Sequence, residues 1–334
     1  MIGTGYWGPN VARSMVETGG ADLVCLCDRD AATLEVIGER YPDSRRTTDA
    51  ADVFGDPTIE AVAISTPTRT HYAMVKAALE HDKHVLVEKP ITVDVGEAEE
   101  LVELAESRGL ILMVGHVFQY NNTVIALREM ISRGELGEVN YINLERTNLG
   151  PVRTDVNALW DLVSHDAYIM ADLLGEMPES VSAIGQSFLN AGIADVVFGT
   201  FVFRSGAVAH VHASWLNPRK VRQITVVGTE KMAVWDDLDM AEPVRLFDKR
   251  IEQPQPGALE GSFLEHKTLV VDGGTSTPTV ELNQPLKTEC EHFLECVKTG
   301  ARPLSDGRSG LDVVRALIAA EESMRNGGRL TPIV

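Results

Sequence analysis

Residues 1–28 read MIGTGYWGPNVARSMVETGGADLVCLCD, and this stretch decides the fold of the N-terminal part of the chain. Gly3, Gly5 and Gly8 have the spacing G-x-G-x-x-G, in which the first glycine makes a tight turn, the second admits a pyrophosphate and the third lets helix pack on strand. Asp28 lies twenty residues after Gly8, where an acid binds the ribose hydroxyls of a dinucleotide. The stretch therefore predicts a strand, a glycine turn and a helix that hold a dinucleotide.

The residues around this turn carry two further expectations. Only Met1 and Ile2 precede Gly3, whereas a strand usually has about five or six residues, so we expect the natural chain to begin upstream of Met1. The carboxylate of Asp28 would bind a free 2′-hydroxyl and repel a 2′-phosphate, which favours NAD over NADP. Arg29 beside it could stack on adenine or reach a phosphate.

Length and charge restrict the possible partners. The 334 residues suggest two domains, and 49 acidic against 30 basic residues give a net charge of −19. This charge argues against binding to nucleic acid or anionic membranes. No apolar run is long enough to cross a membrane and no signal peptide is visible. The four cysteines, Cys25, Cys27, Cys290 and Cys296, are expected to be reduced thiols in a cytoplasmic protein.

Short apolar strands alternate with helical patterns over residues 1–117, which predicts a parallel sheet of the Rossmann type. The predicted strands are 23–27, 61–65, 84–87 and 111–114, and the predicted helices are 9–18, 30–40, 70–81 and 94–108. Gly109 is expected to end the last of these helices. We assign residues 1–117 to a dinucleotide-binding domain.

Residues 118–334 predict an α+β domain with a large, mostly antiparallel open sheet, which binds substrate and forms oligomers. Helices are expected at 123–133, 157–174, 286–299 and 308–326, and strands at 139–147, 180–188, 195–203, 207–215, 221–228 and 231–236. Residues 204–206 predict a hairpin turn, and 250–262 an exposed loop. The closing helices at 286–326 can pack back on the first domain. Because one sheet face lacks predicted helices, we expect a homo-oligomer, either a dimer or a tetramer.

Polar residues follow two of the parallel strands, at the sheet edge where ligands of such folds bind. Thr66 and Pro67 follow one strand, and Glu88 and Lys89 follow another. The ammonium of Lys89 could bind a substrate hydroxyl and stabilise a developing oxyanion. Taken alone, a lysine in this position is by default a solvated side chain paired with Glu88.

Asp161 and His165 are four residues apart in a helical pattern and share one face. His165 has the intrinsic pKa for proton transfer near neutrality, and Asp161 could orient it or contact substrate. Taken alone, the two residues are also typical of a surface pair on a helix. His210 and His212 share a strand face, but no third residue has the spacing of a metal ligand, so we predict no metal site.

In these motifs the chain resembles the Gfo/Idh/MocA family, named for glucose–fructose oxidoreductase and inositol 2-dehydrogenase. The motifs that carry the resemblance extend over nearly the whole length. They are Gly3-Thr4-Gly5-Tyr6-Trp7-Gly8, Ser65-Thr66-Pro67 with His71, Glu88-Lys89-Pro90, Gly115-His116 leading to Tyr120-Asn121, Trp160-Asp161-Leu162 with His165-Asp166, and Glu289…Phe293…Gly300…Pro303.

The resemblance implies a nicotinamide-dependent sugar or polyol oxidoreductase. Lys89 would lie near the nicotinamide C4 and the reacting carbon, His165 would accept the hydroxyl proton, and Asp161 would position substrate. The implied cofactor groove is lined by Tyr6, Trp7, Thr66, Pro67, His71, Glu88 and Gln119. The stretch 146–161 resembles members that act on nucleotide-linked sugars, including UDP-N-acetylglucosamine 3-dehydrogenases. The substrate residues implied are Tyr120, Asn121, Arg146, Arg153, Asn157 and Trp160.

Several functional alternatives remain open. The chain could oxidise a nucleotide sugar at C3, or it could be a myo-inositol or free-sugar dehydrogenase of the same family. A non-catalytic NAD-binding sensor would keep the same fold, although the presence of both Lys89 and His165 argues against it. A dehydrogenase that retains its nicotinamide through the whole catalytic cycle would have the same sequence features.

Overall fold

Residues 1–115 form a parallel sheet with its connecting helices in the computed structural model, which describes residues 1–252 and 269–334. The strands are β1 (Cys25–Cys27), β2 (Arg45–Thr47), β3 (Ala61–Ile64), β4 (His84–Glu88) and β5 (Leu112–Gly115). The helices are α1 (Gly8–Glu17), α2 (Ala31–Gly38), α3 (Ala51–Phe54), α4 (His71–Glu80) and α5 (Val95–Arg108).

The strand order of this sheet reverses at the beginning of the chain. Ile2 bridges in parallel to Cys27 on one side and to Ile64 on the other. The order is therefore β2-β1, then residue 2, then β3-β4-β5. The glycine turn leaves the sheet at this switch point, which is where open α/β sheets bind their ligands.

Local signals explain where the helices of this region begin and end. The Asp94 carboxylate accepts the backbone N–H of Glu97 as an N-cap of α5. Gly109 ends the same helix with φ of 65°, a left-handed conformation that favours glycine, as predicted. Asp30 caps α2 by accepting the N–H of Ala32.

The remaining described residues, 116–252 and 269–334, include a nine-stranded sheet and four α-helices. Its strands are β6 (Val139–Leu149), β7 (Ser180–Gln186), β8 (Val196–Val202), β9 (Val208–Ser214), β10 (Leu216–Gly228), β11 (Met232–Asp236), β12 (Val244–Glu252), β13 (Leu269–Ser276) and β14 (Thr331–Pro332). The order is β13-β12-β11-β10-β6-β9-β8-β7-β14, and only β6 and β9 pair in parallel. The helices are α6 (Asn122–Ser132), α7 (Ser164–Leu174), α8 (Pro285–Thr299) and α9 (Gly307–Arg325).

The two faces of the large sheet differ in burial. On β6, Ile142 and Leu144 are buried in the core, and α7 and α9 pack on this inner face against β6 and β7. Tyr141 on β6 and Phe198 on β8 point the other way and are exposed. The closing helices return to the first sheet region, where α8 packs on α1 and α9 on α5.

The predicted fold class is confirmed: a Rossmann-type parallel sheet is followed by a large, mostly antiparallel sheet. The hairpin turn is also confirmed, because Phe203 N–H donates to Ala207 O and Gly206 has φ of 91°. The sequence did not predict β2, β12, β13, β14 or α3. The predicted loop at 250–262 is wrong for residues 250–252, which belong to β12, and the rest of it lies outside the described residues.

Two further observations concern the cysteines and the helices. All four cysteines are buried, and none forms a disulfide with another. Among the described residues, no helix combines the length and apolar character that a membrane span requires.

Candidate active site

The three glycines of the turn each meet the steric requirement predicted for them. A Cβ at Gly3, which has φ of 86°, would lie 2.7 Å from the backbone carbonyl of Ser65. A Cβ at Gly8 would overlap the carbonyl oxygen of Gly3, whereas one at Gly5 would meet open space. Gly5 therefore presents bare backbone to the groove beside the N-terminus of α1, which has no side-chain cap. This arrangement suits a pyrophosphate.

The carboxylate of Asp28 is tied to the same turn. Oδ2 accepts the backbone N–H of Thr4 at 2.7 Å and its hydroxyl at 3.2 Å, and Oδ1 accepts the N–H of Asp30 at 3.0 Å. Asp28 is half-buried and Arg29 beside it is exposed. The acid is thus held at the end of β1, next to the glycine turn.

The groove beside the turn is bordered by the residues that follow β3 and β4. Tyr6 is 91% exposed, and Trp7 and Pro67 are also exposed. Burial raises the pKa of Glu88 to about 7, although the Lys89 ammonium and the Trp7 indole oppose that increase. Thr66 Oγ1 accepts the hydroxyl of Thr70 at 2.8 Å.

His71 lies behind the groove and not on its surface, which corrects the predicted contact with the cofactor. Its side chain is 1% exposed, and its ring nitrogens lie 2.8 Å from the carbonyl oxygens of Thr66 and Pro90. The ring therefore links the segment after β3 to the segment after β4. Its role is to support both segments.

Lys89 crosses from the parallel sheet to the second half of the chain. Its Nζ donates to the backbone carbonyl of Asp161 at 2.7 Å and lies 3.7 Å from Asp161 Oδ1. The side chains are only 13% and 19% exposed. Burial lowers the pKa of the Lys89 ammonium, and the carboxylates of Asp161 and Glu88 offset part of the decrease. This lysine is therefore not a solvated surface residue.

Asp161 is held by three groups from different parts of the chain. Besides Lys89, Arg153 Nη1 donates to Oδ1 at 3.1 Å, and the indole N–H of Trp215 donates to Oδ2 at 3.1 Å. Asp161 lies on a π-helical turn, Leu159–Val163, that leads into α7. Such turns are frequent at functional sites. Trp215 was not among the predicted site residues.

His165 lies on the first turn of α7, four residues after Asp161, and is partly buried. Phe118 packs edge-on against its ring at a centroid distance of 5.2 Å. Burial lowers the pKa of His165 well below its usual value, and the charges of Lys89 and then Arg146 lower it further. The imidazole is therefore neutral and able to accept a proton. Lys89 contacts Asp161, its charge acts on the imidazole, and His165 lies one helical turn after Asp161.

His116 is a further residue of this cluster that the sequence interpretation did not include among the site residues. It follows β5, is buried, and stacks on Tyr168 at 4.4 Å between centroids. Neither ring nitrogen has a hydrogen-bond partner among the described residues, and burial lowers its pKa to about 3. Because His116 follows the carboxyl end of a parallel strand, its sequence position could have identified it as a candidate site residue.

Three of the predicted substrate residues are buried, and this corrects their assigned roles. The Tyr120 hydroxyl is hydrogen bonded to Ser305 Oγ at 3.0 Å, and Trp160 packs in the core. Arg146 is buried in an ion pair with Asp166. All three side chains therefore lie largely inside the protein in this conformation.

The other predicted residues are distributed around the site. Gln119 is buried, and with its amide oriented to satisfy its neighbours it donates to Asp172 and accepts from Arg128, so it too lies outside the open groove. Asn121 caps α6 through the N–H of Thr123, and Asn157 accepts the N–H of Trp160. Arg153 remains one-third exposed beside Asp161, and Asn121 and Asn157 are also partly exposed.

Among residues 1–252 and 269–334, no group of three or more His, Cys, Asp or Glu side chains is arranged to hold a metal ion. His210 and His212 lie on the outer sheet face. His210 Nδ1 is 3.2 Å from the hydroxyl of Thr200, and His212 stacks on Phe198 at 4.6 Å.

Known proteins resemble the chain in both halves. Residues 1–116 match the family described as the oxidoreductase family with an NAD-binding Rossmann fold, and residues 124–234 match the GFO/IDH/MocA C-terminal domain. The chain is 27% identical over 347 residues to a scyllo-inositol 2-dehydrogenase (NAD(+)) of Bacillus subtilis, covering 98% of this chain and 94% of the relative.

Two further comparisons concern one nucleotide-sugar enzyme. The chain is 30% identical over 182 residues to the UDP-N-acetylglucosamine 3-dehydrogenase of Acidithiobacillus ferrooxidans, covering 54% of this chain and 56% of the relative. A solved structure of that enzyme superposes with a TM-score of 0.80 at 23% identity, covering 97% of each chain. At this identity the superposition supports the fold alone.

Proposed function

The chain belongs to the Gfo/Idh/MocA family of NAD-binding oxidoreductases, and within it we propose a dehydrogenase that oxidises a secondary hydroxyl of a sugar, C3 of a nucleotide sugar, with NAD as hydride acceptor. The observation that carries the proposal is the contact of Lys89 Nζ with Asp161 at 2.7 Å, one helical turn before His165. It brings the ammonium to the helical turn that precedes the imidazole, which supports a joint role for the two groups.

The residues around the turn fit a dinucleotide. The bare backbone at Gly5 and the uncapped N-terminus of α1 would hold the pyrophosphate, and Asp28 would bind the adenosine ribose. The fixed carboxylate of Asp28 supports NAD over NADP, because a 2′-phosphate would meet a negative charge. NAD, when bound, supplies the acceptor for the hydride.

The reaction assigns one task to each of three side chains. The ammonium of Lys89 donates a hydrogen bond to the substrate hydroxyl oxygen and stabilises the negative charge that develops there. His165 accepts the hydroxyl proton at Nε2, while the hydride leaves the same carbon and the C–O bond becomes a carbonyl. Asp161 holds Lys89 in place through its carbonyl and keeps it charged through its carboxylate.

The nucleotide-sugar assignment is supported by Arg153, whose guanidinium is accessible beside Asp161 and can bind a phosphate. The similarity to the UDP-N-acetylglucosamine 3-dehydrogenase points in the same direction. The second candidate is an inositol or free-sugar dehydrogenase, which the match to the scyllo-inositol enzyme over 98% of this chain favours.

A substrate panel tests the proposal. Purified protein is incubated with NAD and, separately, UDP-N-acetylglucosamine, other UDP-sugars, myo-inositol, scyllo-inositol and free aldoses, while reduced nicotinamide is followed by absorbance. We expect turnover on UDP-sugars and a C3 ketone in the product by NMR. Turnover only on cyclitols would establish the second candidate. Tight NADH binding without turnover on any member would indicate a non-catalytic sensor.

We also propose that the protein self-associates through the outer face of the large sheet. Exposed apolar side chains there include Tyr141, Ile184 and Phe198. Exposed apolar surface of this kind is usually covered by a partner. Light scattering should show a species larger than the 36.4 kDa chain, and a 36.4 kDa species alone would contradict this proposal. The four buried free cysteines fit a reducing compartment such as the cytoplasm.

A further inference from the structure

Arg146, which the family resemblance implies is a substrate-binding residue, is buried in the protein. It lies on β6 with its side chain 5% exposed, and Asp166 on α7 is 2% exposed. Nε and Nη2 of Arg146 both donate to Asp166 Oδ1, at 2.9 Å and 2.8 Å. Two donors on one acceptor fix the plane of the guanidinium and anchor the first turn of α7 to the sheet.

The same guanidinium lies over an aromatic ring. Arg146 Cζ is 4.7 Å from the centroid of Phe118, within the range of a cation–π contact. Phe118 also packs edge-on against Trp235 at 5.9 Å, and the Trp235 indole donates to Thr123 Oγ1 at 2.6 Å. Phe118 is therefore held on two sides.

Both groups fixed by Arg146 are direct neighbours of His165. Asp166 follows His165 in the chain, and the Phe118 ring meets the His165 ring edge-on at 5.2 Å. One arginine thus controls the backbone that carries the imidazole and the ring that packs against it. Since Nδ1 of His165 has no hydrogen-bond partner among the described residues, packing is what orients this ring.

We propose that Arg146 is a positioning residue for His165: it fixes Asp166 and Phe118 and so holds the imidazole in the orientation that accepts the substrate proton. This inference rests on the proposed role of His165 as the base. In this proposal Arg146 acts through its contacts with Asp166 and Phe118 and not by contact with the reacting atoms.

Arg146 also contributes to the electrostatics of His165. Burial lowers the pKa of His165 most, and four positively charged or titratable groups lower it further: Lys89 after β4, Arg146 on β6, His116 after β5 and Arg222 on β10. The carboxylates of Asp161 and Asp166 lie on its own helical segment. Removal of the Arg146 charge therefore raises the pKa of His165, so the acidic limb of the kcat/KM profile moves to higher pH.

Two variants distinguish the effect of the Arg146 side-chain geometry from the effect of its charge. R146K keeps a positive charge but loses the flat, forked guanidinium over Phe118. R146M/D166N removes the ion pair without leaving a buried carboxylate unpaired. The matched control is R315M/E99Q, which removes a partly exposed ion pair with an Nη2–Oε1 distance of 2.8 Å between α9 and α5. The control reports the effect of losing an ion pair elsewhere in the fold.

We expect kcat to fall about tenfold to a hundredfold in R146K, with little change in the Kd for NADH. The acidic limb of the kcat/KM profile should stay at the wild-type pH in this variant. We expect a comparable loss in R146M/D166N, together with an acidic limb at higher pH. The control should retain kcat and the profile. The inference would be overturned if both Arg146 variants lost no more kcat than the control and if the acidic limb of their kcat/KM profiles stayed at the wild-type pH.

A second measurement does not depend on turnover. NMR titration of the His165 ring in protein with labelled histidine, assigned with H165Q, should give a higher pKa in R146M/D166N than in the wild-type protein. An unchanged titration and an unchanged ring environment in both variants would refute the role of Arg146. Retention of turnover in H165Q would instead refute the proposed function, so the two failures are distinguishable.

Discussion

The substitution Asp161→Asn tests whether one carboxylate keeps Lys89 charged. Asp161 Oδ1 lies 3.7 Å from Lys89 Nζ, and it is the strongest influence that raises the pKa of Lys89 against burial. Asparagine removes the charge but leaves the backbone carbonyl that accepts Lys89 at 2.7 Å. We therefore expect the ammonium to remain in place and to lose its proton at lower pH.

The expected size of the change can be worked from the distance. Two unit charges 3.7 Å apart attract by about 4–5 kcal/mol at an effective dielectric constant of about 20, which corresponds to about three pH units. Arg153 shares the same carboxylate oxygen at 3.1 Å, and both side chains retain some contact with solvent. We therefore expect the pKa of Lys89 to fall by about one to two pH units.

The assay is the pH dependence of kcat/KM for alcohol oxidation. The proposed reaction requires Lys89 charged and His165 neutral, so we expect activity to fall above the pKa of Lys89 and below that of His165. In D161N the basic limb should move to lower pH by the amount given above, while the acidic limb stays. Asp155→Asn is the matched control, because Asp155 binds Arg153 at 2.6 Å without contacting Lys89. A basic limb that coincides with that of the wild-type protein would refute the reasoning.

Three further substitutions probe the base, the groove wall and the ribose contact. His165→Asn should reduce kcat by about 10²–10⁴-fold while NADH fluorescence titration gives an unchanged Kd, and a near-native rate would remove His165 as the base. Because burial raises the pKa of Glu88 from 4.5 to about 7, the folded protein holds this proton more tightly than the unfolded chain. The wild-type protein should therefore lose up to about 3 kcal/mol of stability relative to E88Q between about pH 5 and pH 8 in urea titrations, and a gain would contradict the burial of Glu88. Asp28→Ser should weaken NAD and strengthen NADP in calorimetric titrations, since Asp28 is the fixed carboxylate beside Thr4, and an unaltered preference would place the ribose elsewhere.

The elements that the sequence predicted are those whose pattern reflects burial. Apolar strands such as β4, with Val85, Leu86 and Val87 all buried, are visible because both sheet faces are covered. The missed β2 is Arg45–Thr47, which has no apolar residue and pairs only with β1. In β12, charged residues alternate with apolar ones near the edge of the large sheet, and such a pattern is also typical of a loop.

For the candidate site, the sequence predicted which residues lie at the ends of strands better than it predicted which side chains form ion pairs with each other. The sequence correctly predicted that Glu88 and Lys89 lie at the carboxyl end of a parallel strand, where ligands of such sheets bind, and the same rule would have included His116 after β5. No local pattern shows that Arg146 is neutralised by Asp166, because they lie on a strand and a helix twenty residues apart. In a sequence, an arginine that binds a phosphate looks the same as an arginine that is paired with a buried carboxylate.

The electrostatics of the cluster also bear on the direction of the reaction. At neutral pH, burial and the neighbouring cations keep His165 neutral, while Asp161 and Glu88 support the charge of Lys89. Oxidation of an alcohol requires this protonation state, because the base must be free and the oxyanion site charged. Reduction would require a protonated His165 beside Lys89 and Arg146, an arrangement that the same charges oppose. An imidazole of low pKa is a weak base, so proton removal depends on Lys89 to make the hydroxyl more acidic. In the proposed mechanism the two residues therefore function only as a pair, and the contact of Lys89 with the turn that leads into α7 is what links their positions.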